Sequence, residues 1–172
     1  MRILLPAAAI AVAALGAAPA AATEVFAGVH AHAVKTPLSL QAGREGGTDL
    51  SVGIRGKRIA GTPIQPYVFG SLNTSGDTNF LAAGLSAKFG NRVYVRPGLG
   101  IAIHDGSASN FSVPDRIAFG SRVLFEPELA IGTQLNECVG IEASWVHFSH
   151  AQIFGRQNPG IDNIGARLTF KL

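Results

Sequence analysis

The stretch WVHFSHAQIFGRQNPGID, Trp145 to Asp162, sets a histidine and a serine two residues apart among apolar neighbours. An aspartate follows a turn marked by proline and glycine. A serine hydroxyl becomes a strong nucleophile when an imidazole takes its proton. The imidazole does so in the right tautomer when a carboxylate holds its other nitrogen. Ser149, His147 and Asp162 are therefore candidates for nucleophile, base and orienting acid at a site that attacks a carbonyl carbon. An H-x-S pair alone is more often a polar pair at a rim than a site. The reading depends on a scaffold that brings Asp162 beside His147.

Turn residues such as SGDTN, GN, DGSASN and QNPG divide the chain into eight segments, about 24–34, 48–59, 66–73, 79–89, 92–104, 117–131, 138–149 and 161–171. Such lengths suit tilted strands that cross a bilayer. Side chains alternate across a strand, so each segment splits by parity. In the fifth, Val93, Val95, Pro97, Leu99, Ile101 and Ile103 oppose Arg92, Tyr94, Arg96, Gly98, Gly100, Ala102 and His104. In the sixth, Val123, Phe125, Leu129 and Ile131 oppose Arg122, Leu124, Glu126 and Glu128. In the first, Val25, Ala27, Val29 and Ala31 oppose Glu24, Gly28, His30 and His32, with Phe26 breaking the pattern.

A soluble sandwich alternates in the same way. Glycine and alanine crowd the polar faces here, as a narrow lumen demands, and this favours an all-β, eight-stranded antiparallel transmembrane β-barrel. A bilayer forbids open sheet edges, which forces closure. Arg55, Arg96, Arg122, Arg167, Glu126, Glu128 and Glu142 are then expected to form an interior ion-pair network. Parity places Trp145, His147 and Ser149 on the outer face of the seventh strand and Asp162 on the outer face of the eighth. All three candidates thus project from the lipid side, near the rim.

The whole chain agrees with export to such a setting. Arg2, the apolar run from Ile3 to Ala18 and the small residues Ala18, Ala20 and Ala22 read as a cleaved signal over 1–22, with an uncleaved anchor as the alternative. Residues 23–172 then form one domain. The formal charge of +3 is too weak and scattered for nucleic acid, and the one cysteine, Cys138, allows no disulfide within the chain. His30 and His32 are weak metal candidates without a clear carboxylate partner.

The segments HFSHA, NPGID, GARLTF, PGLGIAI and SRVLFEPELAIG resemble the lipid A 3-O-deacylase family, the PagL-type barrels of Gram-negative outer membranes. The resemblance covers roughly the last 80 residues of the sequence. It implies a serine esterase that removes the 3-position ester-linked acyl chain of lipid A, with Ser149, His147 and Asp162 in the roles above. It also implies lipid A or lipopolysaccharide as substrate, outer-membrane lipids as surroundings, and no cofactor or metal. A homodimer is left open. Asp162 stands where the family pattern has glutamate, so strand register must make up one methylene. His150 and Gln152 replace the expected asparagine and glycine beside the serine. Asn158 and the main chain near Ala151 are the remaining oxyanion candidates together with His150, and Arg156 is a candidate for a lipid A phosphate. The residues themselves also admit an inactive structural barrel or a phospholipase-like esterase.

Overall fold

The computed structural model describes residues 22–153 and 158–172. The expected export segment lies outside them except for Ala22, and so does Arg156. The strands are β1 (Ala22–Ala31), β2 (Thr48–Gly56), β3 (Ile64–Asn73), β4 (Phe80–Ala87), the two-residue β5 (Phe89–Gly90), β6 (Val93–His104), β7 (Val123–Gln134), β8 (Val139–Phe148) and β9 (Ile161–Lys171). β5 prolongs β4 along β6. Consecutive long strands pair antiparallel, and β1 pairs with β9. The ring is closed: an eight-stranded antiparallel transmembrane β-barrel with no open edge, as hydrocarbon requires.

Alternation decides what each face meets. Val29, Leu50, Val95, Leu99, Ile101, Ile103, Ile131, Leu168 and Phe170 are exposed on the outer wall. Arg55, Arg96, Arg167, Glu126 and Glu142 are buried in the lumen. Glu142 on β8 accepts from Arg96 Nε at 3.0 Å, Arg55 Nη2 at 3.3 Å and the Tyr94 hydroxyl at 3.1 Å. Arg55 and Arg96 both also reach Glu24, and Arg167 pairs with Glu128 at 2.6 Å. Phe26, the exception in the first segment, is buried inside with the Arg55 guanidinium 4.2 Å from its ring centroid. A planar, weakly hydrated cation loses less by stacking on an aromatic face than an ammonium would. These large groups fit because glycines face them. A Cβ on Gly132 would lie 2.5 Å from the Tyr94 ring, and one on Gly100 would lie 2.6 Å from Glu126 Oε2.

Two expectations are corrected. Arg122 is not in the lumen network. It is exposed, and its Nη1 donates to the carbonyls of Gly106 at 2.6 Å and His104 at 3.3 Å, tying the β6–β7 loop together. The sixth strand begins at Val123 rather than at 117, and it runs on to Gln134. Gly120 at φ +79° breaks the extended path. Ile117 and Phe119 are instead buried loop residues, Phe119 packing edge-on against Phe80 at 6.1 Å. Apolar loop residues that close the mouth of the barrel carry the same composition as a strand, and this lengthened the expected segment.

Candidate active site

β8 and β9 place the candidate base and acid by register alone. His147 and Asp162 are direct cross-strand partners, in the position where side chains on one face come closest. His147 Nδ1 and Asp162 Oδ1 are 2.8 Å apart. The one-methylene deficit of aspartate is met because the two residues stand opposite each other rather than on a diagonal. Asp162 shares its parity with Ile164, Leu168 and Phe170, which are exposed on the outer wall, so the pair lies outside the lumen. It is buried all the same, Asp162 being 0% exposed, because the loop after β1 folds over it.

Ser149 follows on the same parity, just past the end of β8. Its main chain is fixed from the other side: Ser149 N–H donates to Phe125 O at 3.1 Å, and Phe125 N–H returns to Ser149 O at 2.7 Å. Three adjacent strands thus converge, β7 holding the serine backbone, β8 the imidazole and β9 the acid. With Nδ1 engaged by Asp162, Nε2 is the imidazole nitrogen left to exchange a proton with a hydroxyl.

Several residues at this site are not among the sequence candidates. Trp145 Nε1 donates to Asp162 Oδ1 at 2.6 Å, and its ring stacks 6.0 Å from that of His147. Its position two residues before His147 on the same face was the available signal. Thr36 donates its hydroxyl to Asp162 Oδ2. No periodicity marks it, because it lies in a loop. Gly160, at φ +64°, packs against the imidazole, where a Cβ would sit 2.9 Å from His147 Cε1 and 2.7 Å from Leu38 O. Only the absent side chain lets the β8–β9 loop and the β1–β2 loop close over the histidine together.

Among the oxyanion candidates, the His150 main-chain N–H is taken up by Asn158 Oδ1 at 3.0 Å, and the His150 side chain is buried. Ala151 and Gln152 are exposed, with φ +51° and +60°. Two successive non-glycine residues in the left-handed region are uncommon and store strain, a feature that clusters where a loop is held for function. Asn158 is half-buried in the same loop.

The remaining histidines are structural. His30 Nε2 lies 2.8 Å from Ser144 Oγ in the lumen, and His104 Nε2 donates to Ser121 O at 2.7 Å. His32 does have carboxylate partners, contrary to expectation: Nδ1 meets Asp49 at 2.9 Å and Nε2 meets Glu45 at 3.2 Å. Both nitrogens are engaged, which makes His32 the anchor of the β1–β2 loop rather than half of a metal site with His30. Burial works to lower its pKa, but hydrogen bonds to Asp49 and Glu45 and their charges override it and raise the value from 6.5 to about 9. Burial likewise opposes the charge on Glu45. The hydrogen bonds from His32 and Thr78 outweigh it and hold that carboxyl below 4.5.

The sign of the linkage follows from these directions. The His32 contribution to stability is complete below pH 6.5 and is lost as pH rises through about 9. The Glu45 contribution is present above pH 4.5 and is lost as pH falls through its lowered value. The loop should therefore be held best between those limits. Hydrogen-exchange protection of the Val34 and Leu40 amides, which donate to Asp162 O and Pro159 O, is expected to decline from pH 6.5 to 9. In His32→Gln that decline should vanish. Protection that is flat with pH in the unsubstituted protein would remove His32 as the anchor.

The chain shares its fold with the crystal structure of the outer membrane enzyme PagL, at 16% identity and a TM-score of 0.63, over 87% of this chain and 99% of that one. A de novo designed transmembrane β-barrel matches at 8% identity and a TM-score of 0.55, over 88% of this chain and 97% of the design. No curated protein sequence matches. The family model described as lipid A 3-O-deacylase (PagL) matches residues 47–171. That match takes in β2 to β9, with both strands that carry the His147–Asp162 pair, and the chain belongs to the lipid A 3-O-deacylase family.

Proposed function

We propose that the protein is an outer-membrane esterase, carried out of the cytoplasm by the 1–22 segment, that hydrolyses the 3-position ester-linked acyl chain of lipid A. The observation that carries this reading is the His147–Asp162 pair on the outer wall of the barrel, with Ser149 held two residues on by its main-chain bridge to Phe125. A base on the lipid side of a barrel serves a substrate that is itself a membrane component. Its position where the strands give way to loops matches an ester near the headgroup boundary, and family membership supports lipid A as the lipid.

In this reading His147 Nε2 takes the Ser149 proton as Oγ attacks the acyl carbonyl. Asp162 keeps the imidazole in the required tautomer and offsets the charge of the imidazolium. Collapse of the tetrahedral intermediate breaks the bond to the sugar oxygen, which leaves as the alcohol with the proton from His147. A water molecule, deprotonated by the same imidazole, then hydrolyses the acyl-serine and releases the fatty acid. The amide of Asn158 and main-chain N–H groups near Ala151 are the donors for the oxyanion. Arg156, two residues before Asn158 in the sequence, supplies a cation for a lipid A phosphate.

Mass spectrometry of lipid A from a Gram-negative host with and without the protein tests the proposal. Its presence should lower the mass of lipid A by that of one 3-hydroxy fatty acid less the water taken up in hydrolysis. Purified protein should release that acid from lipid A and leave defined glycerophospholipids intact. Release from glycerophospholipids instead would make it a phospholipase-like esterase. No release from either lipid would leave a barrel without catalytic activity.

A further inference from the structure

We propose that Thr36 is a positioning residue for the Asp162 carboxylate, supplied to the site from outside the 47–171 stretch that the family model matches. The inference rests on the triad read above and adds a fourth member to it. The Asp162 side chain is fully buried, and its two oxygens have divided duties. Oδ1 accepts from His147 Nδ1 at 2.8 Å and from Trp145 Nε1 at 2.6 Å, while Oδ2 accepts from Thr36. The terminal torsion of an aspartate is broad and nearly two-fold, so register fixes where the carboxylate sits but not how it is turned. A donor on each oxygen fixes the turn.

The Thr36 hydroxyl is itself oriented. Leu38 N–H donates to Thr36 Oγ1 at 3.0 Å, which occupies a lone pair and leaves the single hydroxyl proton for Asp162. Ser39 braces the same turn: Thr36 N–H donates to Ser39 Oγ at 3.1 Å, and that hydroxyl donates to Val34 O at 2.8 Å. The loop is tied to β9 and its approach at two points, Val34 N–H to Asp162 O at 2.8 Å and Leu40 N–H to Pro159 O at 2.7 Å. Ser39 Oγ, 3.5 Å from the Thr36 hydroxyl, is the competing acceptor for the threonine proton, and Asp162 Oδ2 lies much closer. None of this arrangement is needed to close the barrel, whose strands already pair without this loop.

The test compares Thr36→Val, which keeps the shape and removes the hydroxyl, with Thr36→Ser, which keeps the hydroxyl and removes the methyl group. Thr36→Ala serves in place of valine if valine disturbs the loop, and folding is checked by heat-modifiable migration on gels. Two readouts are taken in detergent: the exchange rate of the His147 Nδ1 proton by NMR, and kcat and KM on lipid A. Loss of one hydrogen bond to a charged group should speed proton exchange and lower kcat by about tenfold or more, with KM unchanged. Thr36→Ser should restore both. Exchange at the unsubstituted rate in Thr36→Val, or a serine variant as impaired as valine, overturns the proposal. The exchange readout needs no turnover, so it judges Thr36 even if Ser149 proves not to be the nucleophile.

Discussion

Ser149→Ala is expected to bring release of 3-hydroxy fatty acid from lipid A to background while the barrel still shows heat-modifiable migration. Removing a triad nucleophile in well-studied serine hydrolases lowers kcat by on the order of 10^6, and removing the base as well adds little, because the groups act as one unit. The same non-additivity should hold here. The double variant Ser149→Ala with His147→Ala should be no slower than either single variant. The barrel should not notice, because Ser149 lies beyond β8 and contributes to pairing through its main chain, which alanine retains. kcat/KM on purified lipid A, measured beside urea unfolding of each variant, separates the two effects. A Ser149→Ala protein that keeps more than a tenth of the activity would sink the nucleophile assignment and the mechanism with it.

Glu142→Leu should be the most destabilising single change in the lumen. Glu142 receives Arg96, Arg55 and Tyr94 together, and all four groups are buried. A leucine leaves two guanidinium groups sharing the Glu24 carboxylate, with Gln65 accepting from Arg96 and the Phe26 ring under Arg55, inside a wall that bars water on most sides. Breaking a buried ion pair by removing one partner costs roughly 3–5 kcal/mol, because the charge that stays behind is uncompensated. The midpoint of urea unfolding in lipid bilayers, followed by tryptophan fluorescence of Trp145, should fall accordingly. Substitution on the outer wall, such as Leu99→Ala, exchanges one lipid-facing apolar group for a smaller one and should cost much less. Equal losses at the two positions would mean that the lumen charges do not hold the barrel together.

The period of two along β6, β7 and β8 separated Leu99, Ile131 and Ile141 from Arg96, Glu128 and Glu142, and the structure buries one set while exposing the other. The same parity put His147 and Asp162 on one face, and the antiparallel ladder brings them into contact. Where parity stopped, the reading erred. Arg122 sits one residue before β7, where alternation no longer says which way a side chain points, and it ties down a loop instead of entering the lumen.

Sequence by itself determined the closed barrel, the two faces of its wall and the placing of the histidine and the acid outside it. Each of these follows from local alternation and from the rule that a bilayer tolerates no open edge. Only the tertiary structure decided that Thr36, Trp145 and Gly160 enclose that pair, and that His32 anchors the loop bearing Thr36 through Asp49 and Glu45. Thr36 and Asp162 are 126 residues apart. A loop has no period, and the chain closes it over the site through hydrogen bonds that no spacing in the sequence records.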